Sequence, residues 1–282
     1  MRTLVLCSAV LFCAFSAASA QEPAPAGKKD SGSLNAQIVA ARKATAEKRF
    51  ADSEAMMLKV TTDDPKLVLP WVELGLAQLG LKKYTEAENS FEMALGTDPE
   101  SIKRAHADAF YQDNNKPGTV APTATRIARN TVDSTINNAQ SRTPDIKGVS
   151  WASLGEIYIH QGKVKDAEEA FDNAVTAFPP QAAQYRRNEA ILFFQVGNSE
   201  AQLAAAERAI ELDPARAAMY YFKGQALVSK FTLDSTTQKM VLPPGCADAY
   251  QKYLELDPNG PYSADAKGVL AGAGIPLKAG KK

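Results

Sequence analysis

Prolines that follow an acidic or apolar helix end recur along the chain at 65, 99, 144, 179, 214 and 258. Pro65 to Pro99 is a step of 34 residues, and the two steps from Pro144 to Pro214 are 35 each. The remaining steps, 45 and 44, are one such period carrying insertions of 11 and 10 residues. A proline lacks the backbone donor that a helix interior needs, so at each of these points one helix stops and a connection begins. A fixed period of this length means stacked supersecondary units, none of which can bury its apolar face alone.

Two periods are nearly complete. The first runs through Trp71, Leu74 and Gly75, then Ala87, Phe91 and Ala94, and ends at Pro99. The second runs through Trp151, Leu154, Gly155 and Tyr158, then Ala167, Phe171 and Ala174, and ends at Pro179. Trp, Leu and Tyr at i, i+3 and i+7 form one apolar stripe, and Ala, Phe and Ala at i, i+4 and i+7 form a facing one. Small Gly75 and Gly155 let the two helices of a pair approach, while Phe91 and Phe171 fill the space opposite.

Both copies resemble the tetratricopeptide repeat. The resemblance implies an all-α fold, a right-handed superhelical solenoid of antiparallel helix pairs, as one domain over residues 34–272. About six pairs plus a closing helix fit that span. The other copies are weaker. Leu34 to Lys66 keeps its proline, with Phe50 in the turn and Met57 in place of the aromatic. Residues 183–214 keep Ala209 and Pro214 but put Arg186 and Glu189 at core positions, which leaves a register shifted by one residue open. Residues 102–144 offer a second helix with Val132, Ile136 and Ala139 inward and a first helix with Asp108 at a core position, and 113–122 read as a polar loop. The last copy carries Gly224 in a first helix from about Ala215, then Cys246, Tyr250 and Tyr253 before Pro258. Phe231-Thr-Leu233 and Met240-Val-Leu242 flank a polar turn, so residues 231–242 are expected to form a short β-hairpin. Tyr262 to Leu270 reads as the closing helix, and residues 273–282 as a frayed tail.

Residues 1–20 read as an export signal: Arg2, an apolar stretch from Leu4 to Phe15, then Ala18-Ser19-Ala20. Cleavage is expected between Ala20 and Gln21, leaving residues 21–33 as a flexible leader rich in Pro, Gly, Ser and Lys. This places the mature chain in a periplasm or an extracellular space. Cys7 and Cys13 raise a lipoprotein alternative, which Leu6 and Phe12 before them disfavour. Without the signal only Cys246 remains, so no internal disulfide forms and packing must supply the stability. The 32 basic and 32 acidic side chains balance, which gives no reason to expect nucleic acid as a partner. No later stretch is long and apolar enough for a membrane helix.

Motifs for catalysis are missing. The mature chain has His106 and His160 as its histidines, and no HExxH, CxxC or phosphate-loop pattern, so no metal and no cofactor is expected. Gly148 to Ala152 comes near a nucleophile elbow but lacks the final glycine, and Ser150 is expected at the surface of a helix start. Cys246 is either a reactive exported thiol or a small packed hydrophobe in the place of a repeat alanine, and the second is favoured. Trp71, Trp151, Tyr158 and Phe171 fall on the packing stripe and are expected in the core rather than at a ligand.

The resemblance further implies that first-helix positions line a groove for an extended peptide or a partner helix. Carried onto this sequence, that face holds Asn35, Ile38, Arg42, Leu69, Val72, Leu76, Leu79, His106, Phe110, Glu156, Ile159, His160, Arg187, Phe194, Tyr221 and Gln225. Ile38 and Arg42 stand where some relatives begin a clamp for a terminal carboxylate, and the remainder of that clamp is not found. The leading functional expectation is a non-catalytic scaffold that binds a protein or peptide partner. Alternatives are a subunit of a cell-envelope assembly docking through 231–242, and a thiol-dependent enzyme using Cys246.

Overall fold

The computed structural model describes residues 31–97 and 142–277, with side chains from Leu34 onward. The expectations for the signal, most of the leader, residues 98–141 and the last five residues lie outside this range. Described in chain order are α1 (Ser31–Ala46), α2 (Phe50–Asp63), α3 (Val68–Gly80), α4 (Tyr84–Leu95), α5 (Pro144–His160) and α6 (Val164–Ala177). They are followed by a 3-10 turn (Pro179–Gln181), α7 (Ala182–Gln195), α8 (Ser199–Leu212) and α9 (Ala217–Val228). Strands β1 (Thr232–Leu233) and β2 (Met240–Val241) precede α10 (Cys246–Leu256) and α11 (Ser263–Gly272). The fold is all-α, in consecutive helix pairs, with one two-stranded antiparallel hairpin among the described residues.

The chain forms two compact units, Met1–Ser150 and Trp151–Lys282. In the first, each of α1 to α4 packs on the next, and α1 also packs on α3. Its core gathers Ile38, Ala41, Met57, Val60 and Leu74, with Trp71 half-buried against them. Met57 is fully buried at the position that Phe91, Phe171 and Tyr250 take in other copies. Phe50, the first residue of α2, packs on Gly80 so closely that a Cβ there would lie 2.4 Å from its ring. In the second unit the same stacking runs from α6 through α11, and α7 also packs on α9.

The turn inside each pair repeats with the sequence period. Lys48, Lys82, Gly162 and Gly197 all take positive φ, between 60° and 75°. In each case the following amide reaches back to a carbonyl five residues earlier, as in Lys83 N to Gln78 O and Lys163 N to Tyr158 O, at 2.9 and 2.8 Å. This left-handed closure satisfies carbonyls that a helix end leaves open and turns the chain back on itself. Glycine adopts it freely, whereas the two lysines accept some strain.

The small-against-large pairing also holds. A Cβ at Gly75 would sit 2.8 Å from Phe91 Cζ, and one at Gly155 would sit 2.6 Å from Phe171 Cε2. Gly224 meets Tyr250 in the same way at 3.0 Å, with the hairpin inserted between the two helices of that pair. The aromatic near the start of a first helix also makes a polar contact. Trp71 Nε1 donates to Pro65 O at 2.9 Å, and Tyr220 Oη donates to Pro214 O at 3.1 Å. The indole or phenol thereby pins the connection that the proline begins.

Two expectations need correction, and one register left open is decided. Pro144 opens a helix rather than a connection, being the first residue of α5, a position where its missing N–H costs nothing. Because α5 starts that early, Ser150 lies inside it, fully buried, with Oγ donating to Ile146 O at 2.8 Å. The copy at 183–214 keeps the register of its neighbours, with Ala190 and Phe193 buried as Gly155 and Tyr158 are. Arg186 and Glu189 therefore occupy the places of Trp151 and Leu154, and both are buried. Glu189 accepts from Arg186 Nη1 at 3.0 Å and from Arg208 Nη2 at 2.7 Å, and Arg186 also pairs with Asp172. An ion-pair network replaces an apolar contact without moving the helices.

Candidate partner-binding face

The first helices carry the side chains assigned to the groove, and packing treats them unequally. In the first unit Asn35 is exposed and Leu76 half-buried, but Val72 is buried in the core. Arg42 lies along the same face and donates from Nε to Glu73 Oε1 at 2.6 Å. Burial holds the Glu73 carboxyl above its usual range, with Arg42 opposing that shift. The pair joins α1 to α3, so Arg42 is already engaged within the protein.

In the second unit Arg187, Phe194 and Gln225 are half-buried and His160 is exposed. Phe194 leans on Phe222 with ring centroids 5.1 Å apart. Tyr221 departs from its expected role, being only 5% exposed. Tyr262 stacks on it at 4.1 Å, and the Tyr221 hydroxyl donates to Asp265 Oδ2 at 3.0 Å. Tyr253 Oη accepts from the Tyr262 amide at 3.0 Å. Tyr262, at the start of the closing helix, and Asp265 within it thus cover this side chain. Desolvation and the nearby Asp265 carboxylate push the Tyr221 hydroxyl well above the usual tyrosine range.

Two residues that the repeat pattern did not single out line the same stripe of α7. Gln184 Nε2 donates to Asn188 Oδ1 at 2.7 Å, and Arg187 Nη2 donates to Gln184 Oε1. Gln184 lies three residues before Arg187 and four before Asn188, a spacing that is the sequence signal for one helix face. Asn188 Nδ2 is buried and has no hydrogen-bond partner. Glu156 on α5 is in the converse state: its carboxyl is buried, Oε2 has no partner, and desolvation pushes its pKa up to about 7. His160, one turn on, holds Nε2 4.0 Å from Glu156 Oε1. His106, Phe110, Ala20 and Gln21 lie outside the described residues.

The hairpin forms where expected, with Thr232 opposite Val241 and Leu233 opposite Met240. Asp234 Oδ1 closes its turn by accepting from Thr236 N, Thr237 N and Thr237 Oγ1, which holds the carboxyl below its usual range. One side of the hairpin rests on the end of α11, where a Cβ at Gly272 would lie 3.1 Å from Met240 Sδ. Phe231, Leu233 and Val241 stay exposed at 43%, 57% and 50%.

Cys246 opens α10 at the repeat position of Ala87 and Ala167. It is fully buried, and its thiol donates to Gly224 O at 3.5 Å. Burial pushes the thiol up to about 11, so on the order of one molecule in a thousand carries a thiolate at pH 8. Alkylation by iodoacetamide at pH 8 should be at least about 100-fold slower for the native protein than for the same chain in urea. Equal rates in the two states would show that the thiol is accessible. Among the described residues no group of three or more His, Cys, Asp or Glu could hold a metal ion, and no helix is long and apolar enough to cross a membrane.

Residues 70–101 and residues 152–217 each match a family model described as a tetratricopeptide repeat. No curated protein sequence matches the chain. Among solved structures, it is similar to YrrB, described as a TPR protein with an unusual peptide-binding site. The identity is 15% and the TM-score 0.47, covering 82% of this chain and 90% of that one. It is also similar to the APC/C hetero-tetramer Cut9-Hcn1, at 12% identity and a TM-score of 0.35, covering 82% of this chain and 41% of that one. The chain thus carries tetratricopeptide repeats over these two segments.

Proposed function

We propose that the protein is a non-catalytic scaffold that holds a peptide or a helix of a protein partner on the first helices of its repeats. The observation that carries this reading is the composition of the face left over after packing. Arg187, Phe194 and Gln225 remain partly open in the second unit, and Asn35, Arg42 and Leu76 in the first. An aromatic and an aliphatic anchor among charged and amide groups suit recognition of a partner chain through a few apolar contacts with polar ones around them. Residues 1–20, read as an export signal, favour a periplasmic or extracellular setting for this activity.

The test is affinity capture on the full chain from the envelope fraction of its host, comparing the wild type with Phe194→Ala combined with Arg187→Ala. Loss of a partner that the wild type retains, with unchanged circular dichroism, supports the reading. Retention of every partner overturns it. The mature bait should begin at Gln21, and an intact leader on the recovered protein would remove the export setting. The exposed Phe231, Leu233 and Val241 favour a second reading, docking of a fixed neighbour on the hairpin. Deleting residues 232–241 should then abolish a complex that the double variant keeps.

A further inference from the structure

Three buried carboxylates stand on first helices of the described repeats: Glu73, Glu156 and Glu189. An ionised carboxylate taken out of water is costly unless a cation and hydrogen bonds replace the water. The chain provides this for two of them, since Glu73 has Arg42 at 2.6 Å and Glu189 has both Arg186 and Arg208. Glu156 has neither an arginine nor a lysine within 4.0 Å among the described residues, and its Oε2 is without a hydrogen bond. The basic group beside it is His160, 4.0 Å from Oε1, with an imidazole partly open to solvent. Because the two residues are four apart on α5, they share one face, the one on which the scaffold reading places the partner.

We propose that Glu156 is completed from outside: the partner held on this face presents a lysine or arginine side chain whose cation pairs with the Glu156 carboxylate. This rests on the scaffold reading and names the chemistry of one contact within it. His160, 4.0 Å from Oε1, borders the side of the carboxylate from which such a cation would approach. Asn188 Nδ2, on the next first helix, is likewise buried without an acceptor. Binding of such a cation favours the ionised carboxyl, so association releases a proton near neutral pH and weakens as the medium is acidified below about 7. A basic group held at this depth also discriminates strongly against partners lacking it, because those leave the carboxyl buried and unpaired.

The experiment uses a phage-displayed random dodecapeptide library panned on the full chain and on its Glu156→Gln variant. The variant keeps the side-chain volume and removes the charge, and its melting curve should match or exceed that of the wild type. Wild-type selections should enrich lysine or arginine at a fixed distance from an apolar anchor, and the variant should keep the anchor and lose the basic position. For one selected peptide, Glu156→Gln and replacement of the basic residue by norleucine should each weaken binding about tenfold or more. Combining the two should add little to either alone. Apolar peptides selected without a basic position, or equal affinity for wild type and variant, would overturn this inference and leave the scaffold reading standing. Failure of every selection would overturn the scaffold reading and this inference with it.

Discussion

Phe171→Ala is expected to lower the free energy of unfolding by about 3–5 kcal/mol, measured by urea denaturation followed by circular dichroism. The ring is fully buried and faces Gly155 across the α5–α6 pair. Removing it opens a cavity that the surrounding helices cannot close, because Ala152, Ala167, Ala170 and Ala174 are small and already packed. The pairing with Gly155 makes a sharper test. Gly155→Ala in the wild-type chain places a Cβ 2.6 Å from Phe171 Cε2 and should destabilise despite alanine's better helix propensity. In the Phe171→Ala background the obstacle is gone. There the same substitution should be neutral or stabilising by up to about 1 kcal/mol. A sign change between the two backgrounds is the expected outcome of the cycle. A loss below about 1 kcal/mol for Phe171→Ala would show that the ring is not the filler of this pair.

Arg186→Met is the second large effect, and it carries a pH signature. Glu189 is fully buried, and desolvation already holds its carboxyl above the usual range against the opposing pull of Arg208 and Arg186. Removing Arg186 takes away one of two cations and should cost about 3–5 kcal/mol at pH 8. A carboxyl whose folded pKa is raised stabilises the folded state only while protonated, and that stability is lost as pH rises from the unfolded to the folded value. The penalty of Arg186→Met is therefore largest at pH 8 and should shrink as the medium is acidified and Glu189 takes up a proton. A penalty independent of pH would mean that packing of the arginine stem, not the charge, sets the effect. The double substitution Arg186→Trp with Glu189→Leu restores the pair found at Trp151 and Leu154, and it should recover most of the stability at every pH. Arg208 then turns to Glu168, 3.7 Å away, and to solvent.

The departures of structure from sequence share one cause. Arg186 and Glu189 look misplaced in the sequence because local pattern reads each side chain alone. Their burial is tolerated only through Arg208 on the next helix, 19 residues beyond Glu189. Tyr221 falls on the groove stripe by counting, yet its side chain is buried. Its exposure is decided by Tyr262 and Asp265, more than forty residues later, which fold back over it. Glu156 reads as an ordinary polar groove residue, and nothing local signals that its carboxyl sinks between neighbours and finds no partner. Gln184 and Asn188 do not stand out because the repeat pattern marks packing positions and is silent about a polar stripe.

The amino-acid sequence alone determined the period, the helix pairs, the glycine–aromatic contacts at Gly75 and Gly155, the buried Cys246 and the hairpin after α9. Each depends on spacing along the chain: where an apolar stripe recurs, where a side chain is missing, where a proline or glycine breaks a helix. Tertiary structure alone decided which charges are buried and whether each finds a partner, and which part of the expected groove the closing helix covers. Those outcomes depend on groups brought together from distant positions. The cost of burying a carboxylate is set by whatever cation, if any, the folded chain places beside it.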